Sequence, residues 1–128
     1  MPTSGLRPPR GEEVGMNEEN LFRFQKLDIY RVARELARRV CAARIADREL
    51  HDQATRAAKS CFLQLCEGLP NEGLGLRRKY FVESRNSLAE TVGAIDLAAA
   101  IGALRESEAE AIQALALRTR RMLTALLR

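Results

Sequence analysis

The sequence predicts an all-α protein folded as an antiparallel up-down four-helix bundle. Three observations predict it. Apolar residues recur every three or four positions in four successive segments, the spacing of one helix face. Ala, Leu, Arg and Glu dominate the 128 residues, and they are helix formers. No stretch alternates with period two and β-branched residues for long enough to make a sheet. With 46 % hydrophobic and 30 % charged residues, a chain of this length is one domain with a sizeable core.

Residues 1–20 hold Pro2, Pro8, Pro9, three glycines and no apolar pattern. They are predicted to be a disordered tail, with the bundle domain spanning 21–128. Met16 opens MNEENLF and is an expected internal start, which would make residues 1–15 dispensable. The first helical segment is predicted over Leu21–Ala43. Ile29, Ala33, Leu36, Val40 and Ala43 form its seam, broadened by Val32, Ala37 and Cys41.

The second segment is the central one. Asp47 is placed to cap it, and Leu50, Ala54, Ala57, Cys61 and Leu65 share one face, widened by Ala58, Phe62 and Leu69. Its alanines let a neighbouring helix approach closely. Asp52 and Arg56 are an i,i+4 pair. Gly68 suits a left-handed position just past the helix end, and Pro70 prevents continuation.

The third segment is expected from Leu76 or Arg77 to the stop at Gly102, burying Phe81, Ser84, Leu88, Thr91, Ile95 and Ala98. Gly93 within it predicts close packing. The fourth opens on Ser107-x-x-Glu110, a capping-box signature. Ala111 or Ile112, Leu115, Met122 and Leu126 are expected on its inner face, with Leu123 beside them. Leu97, Ala99, Leu117 and Leu127 are apolar beyond what a single core needs, which predicts self-association.

The run Gln53, Arg56-Ala57, Ser60, Glu67-Gly68 resembles the small four-helix-bundle family encoded in intervening sequences of 23S ribosomal RNA genes. It is also similar to the accessory protein of diversity-generating retroelements. The family pattern reads Q-x-x-R-A-x-x-S-I-x-x-N-I-A-E-G. This chain keeps the spacing, with Cys61, Gln64 and Leu65-Cys66 as departures. Leu27-Asp28-Ile29-Tyr30, Phe81, Ser87, Glu90 and Arg121-Met122-Leu123 extend the match over about Leu21 to Leu127. The resemblance implies a ring-shaped homopentamer and, from the retroelement protein, contact with a reverse transcriptase.

Charge points to a function. The chain carries +4 and residues 1–20 carry −2, so the folded part carries +6. The first segment and its exit hold seven cations against Asp28 and Glu35. A solvated helical surface is one reading, and binding to phosphate backbones is the other. Five copies would reach about +30. The binding candidates are Arg31, Arg34, Arg38 and Arg39, then Arg77, Arg78 and Lys79, then Arg118, Arg120 and Arg121. No aromatic platform is interleaved with them, so binding to RNA or DNA is expected to follow shape and charge rather than base identity.

Arg77-Arg78-Lys79 sits where a helix start disfavours cations. An anion held by Gly73-x-Gly75 would relieve the conflict, and so would local pairing with Glu67, Glu72 or Glu83. The P-loop spacing is absent. His51 reads as a surface residue, Ser60 as a packing residue bonded to its own backbone, and Glu67 and Glu90 as acceptors. Neither catalysis nor a cofactor or metal is expected. Cys41, Cys61 and Cys66 read as buried free thiols of a cytoplasmic protein, without a transmembrane run or signal peptide. The rival to nucleic-acid binding is a structural or protein-interaction module.

Overall fold

A computed structural model describes residues 20–128. The expectations of a disordered tail and of an internal start at Met16 fall on residues 1–19 and at Asn20, almost wholly outside the described residues. Four helices follow in order: α1 (Asp28–Ala42), α2 (Arg48–Gly68), α3 (Leu74–Ala100) and α4 (Glu106–Leu126). Links of five residues join them, so each helix lies antiparallel to the next. α1 packs on α2, α2 on α3, α3 on α4, and α4 closes on α1. No strand occurs among the described residues.

The core follows the sequence seams closely. Val40, Ala54, Leu65, Ile95, Ala98 and Leu123 are wholly buried, with Leu36, Phe81, Leu88 and Ile112 at 1–2 % exposure. The expected seam residues of α1, α2 and α3 are buried, but of those expected to broaden the stripes Ala37 and Phe62 are half-buried and Cys41 is exposed. In α4 the inner face is turned by about one residue from the expected one. It consists of Ala109, Ile112, Ala116, Thr119 and Leu123, whereas Leu115 and Met122 are half-buried and Leu126 is exposed. Thr119 escapes an apolar-only pattern because its hydroxyl donates to the Leu115 carbonyl at 2.9 Å, which satisfies it inside the core.

Several boundaries differ from the expected ones. The first helix does not begin at Leu21. A 3-10 turn spans Arg23–Lys26, Leu27 is extended, and α1 starts at Asp28. Phe24, Tyr30 and Phe62 hold this turn in a chain of ring contacts 5.7 and 5.2 Å apart. α3 starts at Leu74, earlier than expected, because Gly73 takes the N-cap position. α4 starts at Glu106 with Arg105 at its cap and no side-chain cap bond, so the Ser107 capping box is not formed. Asp47 does cap α2, its carboxylate accepting from the Leu50 N–H at 2.9 Å.

The glycines also part company with expectation. Gly68 is the last helical residue of α2, and Leu69 after it is right-handed. Gly68 is required for space instead. A Cβ there would lie 2.7 Å from Cε1 of Phe81. Gly93 is exposed, and a Cβ there would meet nothing within 4 Å. Gly102 does stop α3, at φ 79. The Ala103 N–H reaches the Ala98 carbonyl and the Gly102 N–H the Ala99 carbonyl, at 2.8 and 3.1 Å, a Schellman ending. The Ala46 N–H bonds the Ala103 carbonyl at 2.8 Å, tying the two links at that end together.

Candidate nucleic-acid interface

Antiparallel packing places the start of α1, the α2–α3 link and the end of α4 at one end of the bundle. That half comprises residues 21–34, 59–86 and 117–128. It holds thirteen Lys and Arg against four Asp and Glu, a net +9. The other half, 35–58 and 87–116, holds six against nine, a net −3. α4 shows the gradient within one helix. Glu106, Glu108 and Glu110 stand at its start and Arg118, Arg120 and Arg121 at its end. α3 runs the opposite way in space and in charge, from Arg77-Arg78-Lys79 to Glu90 and Asp96.

Eight of the ten candidate cations lie in the basic half: Arg31, Arg34, Arg77, Arg78, Lys79, Arg118, Arg120 and Arg121. Arg38 and Arg39 do not. Arg38 makes a bidentate contact with Glu35, at 2.9 and 2.6 Å. That bond holds the Glu35 carboxyl below its ordinary range, against slight desolvation, and raises Arg38. Arg39 reaches across to Glu108 on α4, at 3.3 Å. Both arginines are therefore spent on structure. Arg31, Arg34, Arg118, Arg120 and Arg121 are exposed.

The three cations at the start of α3 separate. Arg77 folds back and donates to the carbonyls of Gly68 and Leu69, at 3.2 and 2.6 Å, with its guanidinium 4.9 Å from the Phe81 ring centre. It thereby satisfies the acceptor end of α2, where a cation is favoured. Arg78 donates to the Leu127 carbonyl at 2.8 Å, fastening α3 to the end of α4. Lys79 pairs with Glu83 at 3.3 Å. Since α3 begins at Leu74, these residues fall after its first three positions. The Gly73 N–H is taken by the Asn71 side chain at 2.9 Å. The cations thus find local partners, and the conflict with the helix start is relieved without an anion.

Of the three thiols expected to be buried, one is. Cys61 is buried, and burial pushes its thiol up, partly offset by a hydrogen bond with Ser84. Cys66 is half-buried, pushed up by burial and by Glu67, and Cys41 is exposed. Ser60 does not bond its own backbone; its hydroxyl meets that of Ser87 on α3 at 2.9 Å. Asp52 lies 3.5 Å from His51, and no Asp52–Arg56 bridge forms among the described residues. Glu67 and Glu90 are exposed. Gln64, the departure from the family Asn, has a buried side-chain oxygen without a donor. Among the described residues no group of three His, Cys, Asp or Glu could hold a metal, and no helix is long and apolar enough to cross a membrane.

The ten binding candidates leave out five cations of the basic half, Arg23, Lys26, Lys59, Arg85 and Arg128, although Arg23 and Lys26 belong to the seven cations counted on the first segment. Sequence reasoning also passed over Phe22, 71 % exposed, which caps the start of the basic turn and stacks 5.9 Å from Phe24. The alternation in Leu-Phe-Arg-Phe-Gln-Lys was the available signal.

Closed antiparallel packing, a small-residue α2 and one basic end define an all-α four-helix-bundle protein. The chain belongs to the 23S rRNA-intervening sequence protein family, whose model matches residues 25–125. A search of curated proteins finds no match.

Proposed function

We propose that this family member is a non-enzymatic, self-associating, cytoplasmic protein that binds nucleic acid with the basic end of its bundle. The observation that carries the reading is the segregation of charge, +9 in one half against −3 in the other. Random surface decoration does not sort cations this way along two antiparallel helices. A polyanion meeting the end formed by α3 and α4 would replace the mutual repulsion of Arg118, Arg120 and Arg121 with phosphate contacts. Phe22 offers a base-stacking surface beside Arg23 and Lys26, which favours single strands or loops. The homopentamer implied by family resemblance would repeat the basic end around one axis.

The test is binding of labelled RNA and DNA, single- and double-stranded, across a salt series. The logarithm of affinity should fall with the logarithm of salt by ~0.9 per phosphate contact on duplex DNA. Arg118→Glu with Arg121→Glu should weaken binding at least tenfold, while Arg105→Glu at the other end should change it less than twofold, by ~0.4 kcal/mol. Weak, salt-insensitive binding to every probe would remove the proposal. It would leave the protein-interaction reading, which the apolar groove between α3 and α4 favours and which includes a reverse transcriptase as partner.

A further inference from the structure

The basic end also leaves apolar side chains outside. Phe22 before the 3-10 turn, Leu27 at the start of α1, Leu74 and Leu76 in the first turn of α3 and Leu126 at the end of α4 are all exposed, Leu74 at 82 %. Cations stand among them. Arg23, Lys26, Arg121 and Arg128 are exposed and form no ion pair among the described residues. A surface both apolar and cationic fits a ligand both apolar and acidic.

The chain carries such a segment directly before this end. Residues 11–19 read GEEVGMNEE: Glu12, Glu13, Glu18 and Glu19, no cation, and Val14 and Met16 between the two acid pairs, a net −4. The segment joins the bundle at Asn20, two residues before Phe22. From Glu12 to Asn20 an extended chain spans up to ~27 Å. Two helices side by side measure ~20–24 Å. Every helix of the basic end is therefore within its reach.

We propose that residues 12–19 lie across the basic end of their own bundle, and that a polyanion must displace them to bind. The contact stands on the charges and exposed side chains above; its effect on affinity rests on the nucleic-acid reading and adds regulation to it. A tethered segment meets its surface at an effective concentration in the millimolar range, roughly 1 mM or more. The opposite half of the bundle, net −3, repels the same segment. Val14 and Met16 cover apolar side chains that a phosphate backbone leaves wet. Each exposed ion pair is weak, so the cover yields to a polyanion that makes more contacts. Salt weakens the cover and the binding together, so the inhibition is strongest at low salt.

Two measurements on the full chain test this. Carbodiimide coupling joins a carboxylate to an amine only where they touch, and all three lysines, Lys26, Lys59 and Lys79, lie in the basic half. Without nucleic acid, peptide mass spectrometry should find an amide between Lys79 and one of the four tail glutamates. Mixing light and heavy-isotope chains should show it to lie within one chain, and excess single-stranded oligonucleotide should suppress it. In the second measurement the four glutamates are replaced together, Glu12→Gln, Glu13→Gln, Glu18→Gln and Glu19→Gln. Oligonucleotide affinity should rise about fivefold at about 50 mM salt and less than twofold at about 400 mM. The same charge change in the other half, by Glu90→Gln, Asp96→Asn, Glu106→Gln and Glu110→Gln, should raise it less than twofold at both. Lys79 coupled to Glu83 alone, an amide formed only between chains, or equal gains from the two quadruple variants overturns the contact. An oligonucleotide that binds no form of the chain removes the nucleic-acid reading, and the cross-link by itself then decides the contact.

Discussion

Gly68 and Gly93 occupy the same kind of helix but have opposite physics. At Gly68 an added methyl meets Phe81 at 2.7 and 2.8 Å, and both partners are buried. Gly68→Ala should cost about 1–3 kcal/mol in chemical unfolding, the range for overpacking a tight core. Gly93 faces open space inside α3. Gly93→Ala should stabilise by up to ~1 kcal/mol, since Ala loses less backbone entropy in a helix. The thiols make a second residue-scale prediction. Alkylation followed by mass spectrometry should label exposed Cys41 first and Cys66 next, with Cys61 reacting only on unfolding. The Glu35–Arg38 pair has a defined pH sense. Its carboxyl is lowered on folding, so its contribution is complete above the unfolded value, ~4.3, and is lost as pH falls through the folded one.

Helix ends divide the elements into those held by side chains and those held otherwise. α2 is fastened at both ends, by the Asp47 carboxylate at its start and the Arg77 guanidinium on its last carbonyls. Asp47→Ala should cost about 1 kcal/mol, and Arg77→Ala roughly 1–2 kcal/mol through the Leu69 carbonyl it leaves unpaired, the Gly68 carbonyl keeping the Asn71 N–H. Ser107→Ala should change unfolding free energy by less than ~0.5 kcal/mol, because α4 has no side-chain cap to lose. A large loss at Ser107 in the same unfolding assay would contradict the observed start of α4. α3 is the longest element, 27 residues, and its apolar side chains are spread around it, with Leu74, Leu76 and Leu97 exposed. A helix of that kind serves both a core and a second contact.

At the scale of the bundle, residues 21–128 form an electrostatic rod with one basic end. Its two halves cancel to a modest +6, so bulk charge conceals the asymmetry. Two cations that looked available in sequence, Arg38 and Arg39, are held by Glu35 and Glu108 in the other half. Arg39→Ala should therefore leave nucleic-acid affinity within twofold while lowering stability by up to ~1 kcal/mol, through the lost bridge between α1 and α4. A binding loss comparable to that of the Arg118 and Arg121 variants would show that the contact surface extends along α1.

By itself, the sequence determined the helical class, the number of helices and most of the core. Those depend on local periodicity, and Ile29 to Val40, Leu50 to Leu65 and Phe81 to Ala98 carry it plainly. It also determined the caps whose partners are near in the chain, Asp47 and Gly102. The tertiary structure alone decided why Gly68 is small, where Arg77 points, which face of α4 turns inward and which cations share an end. Each depends on residues far apart in sequence: Phe81 on Gly68, Glu108 on Arg39, Leu127 on Arg78. Antiparallel packing brings the start of one helix to the end of another, so charge that alternates along the chain becomes segregated in space.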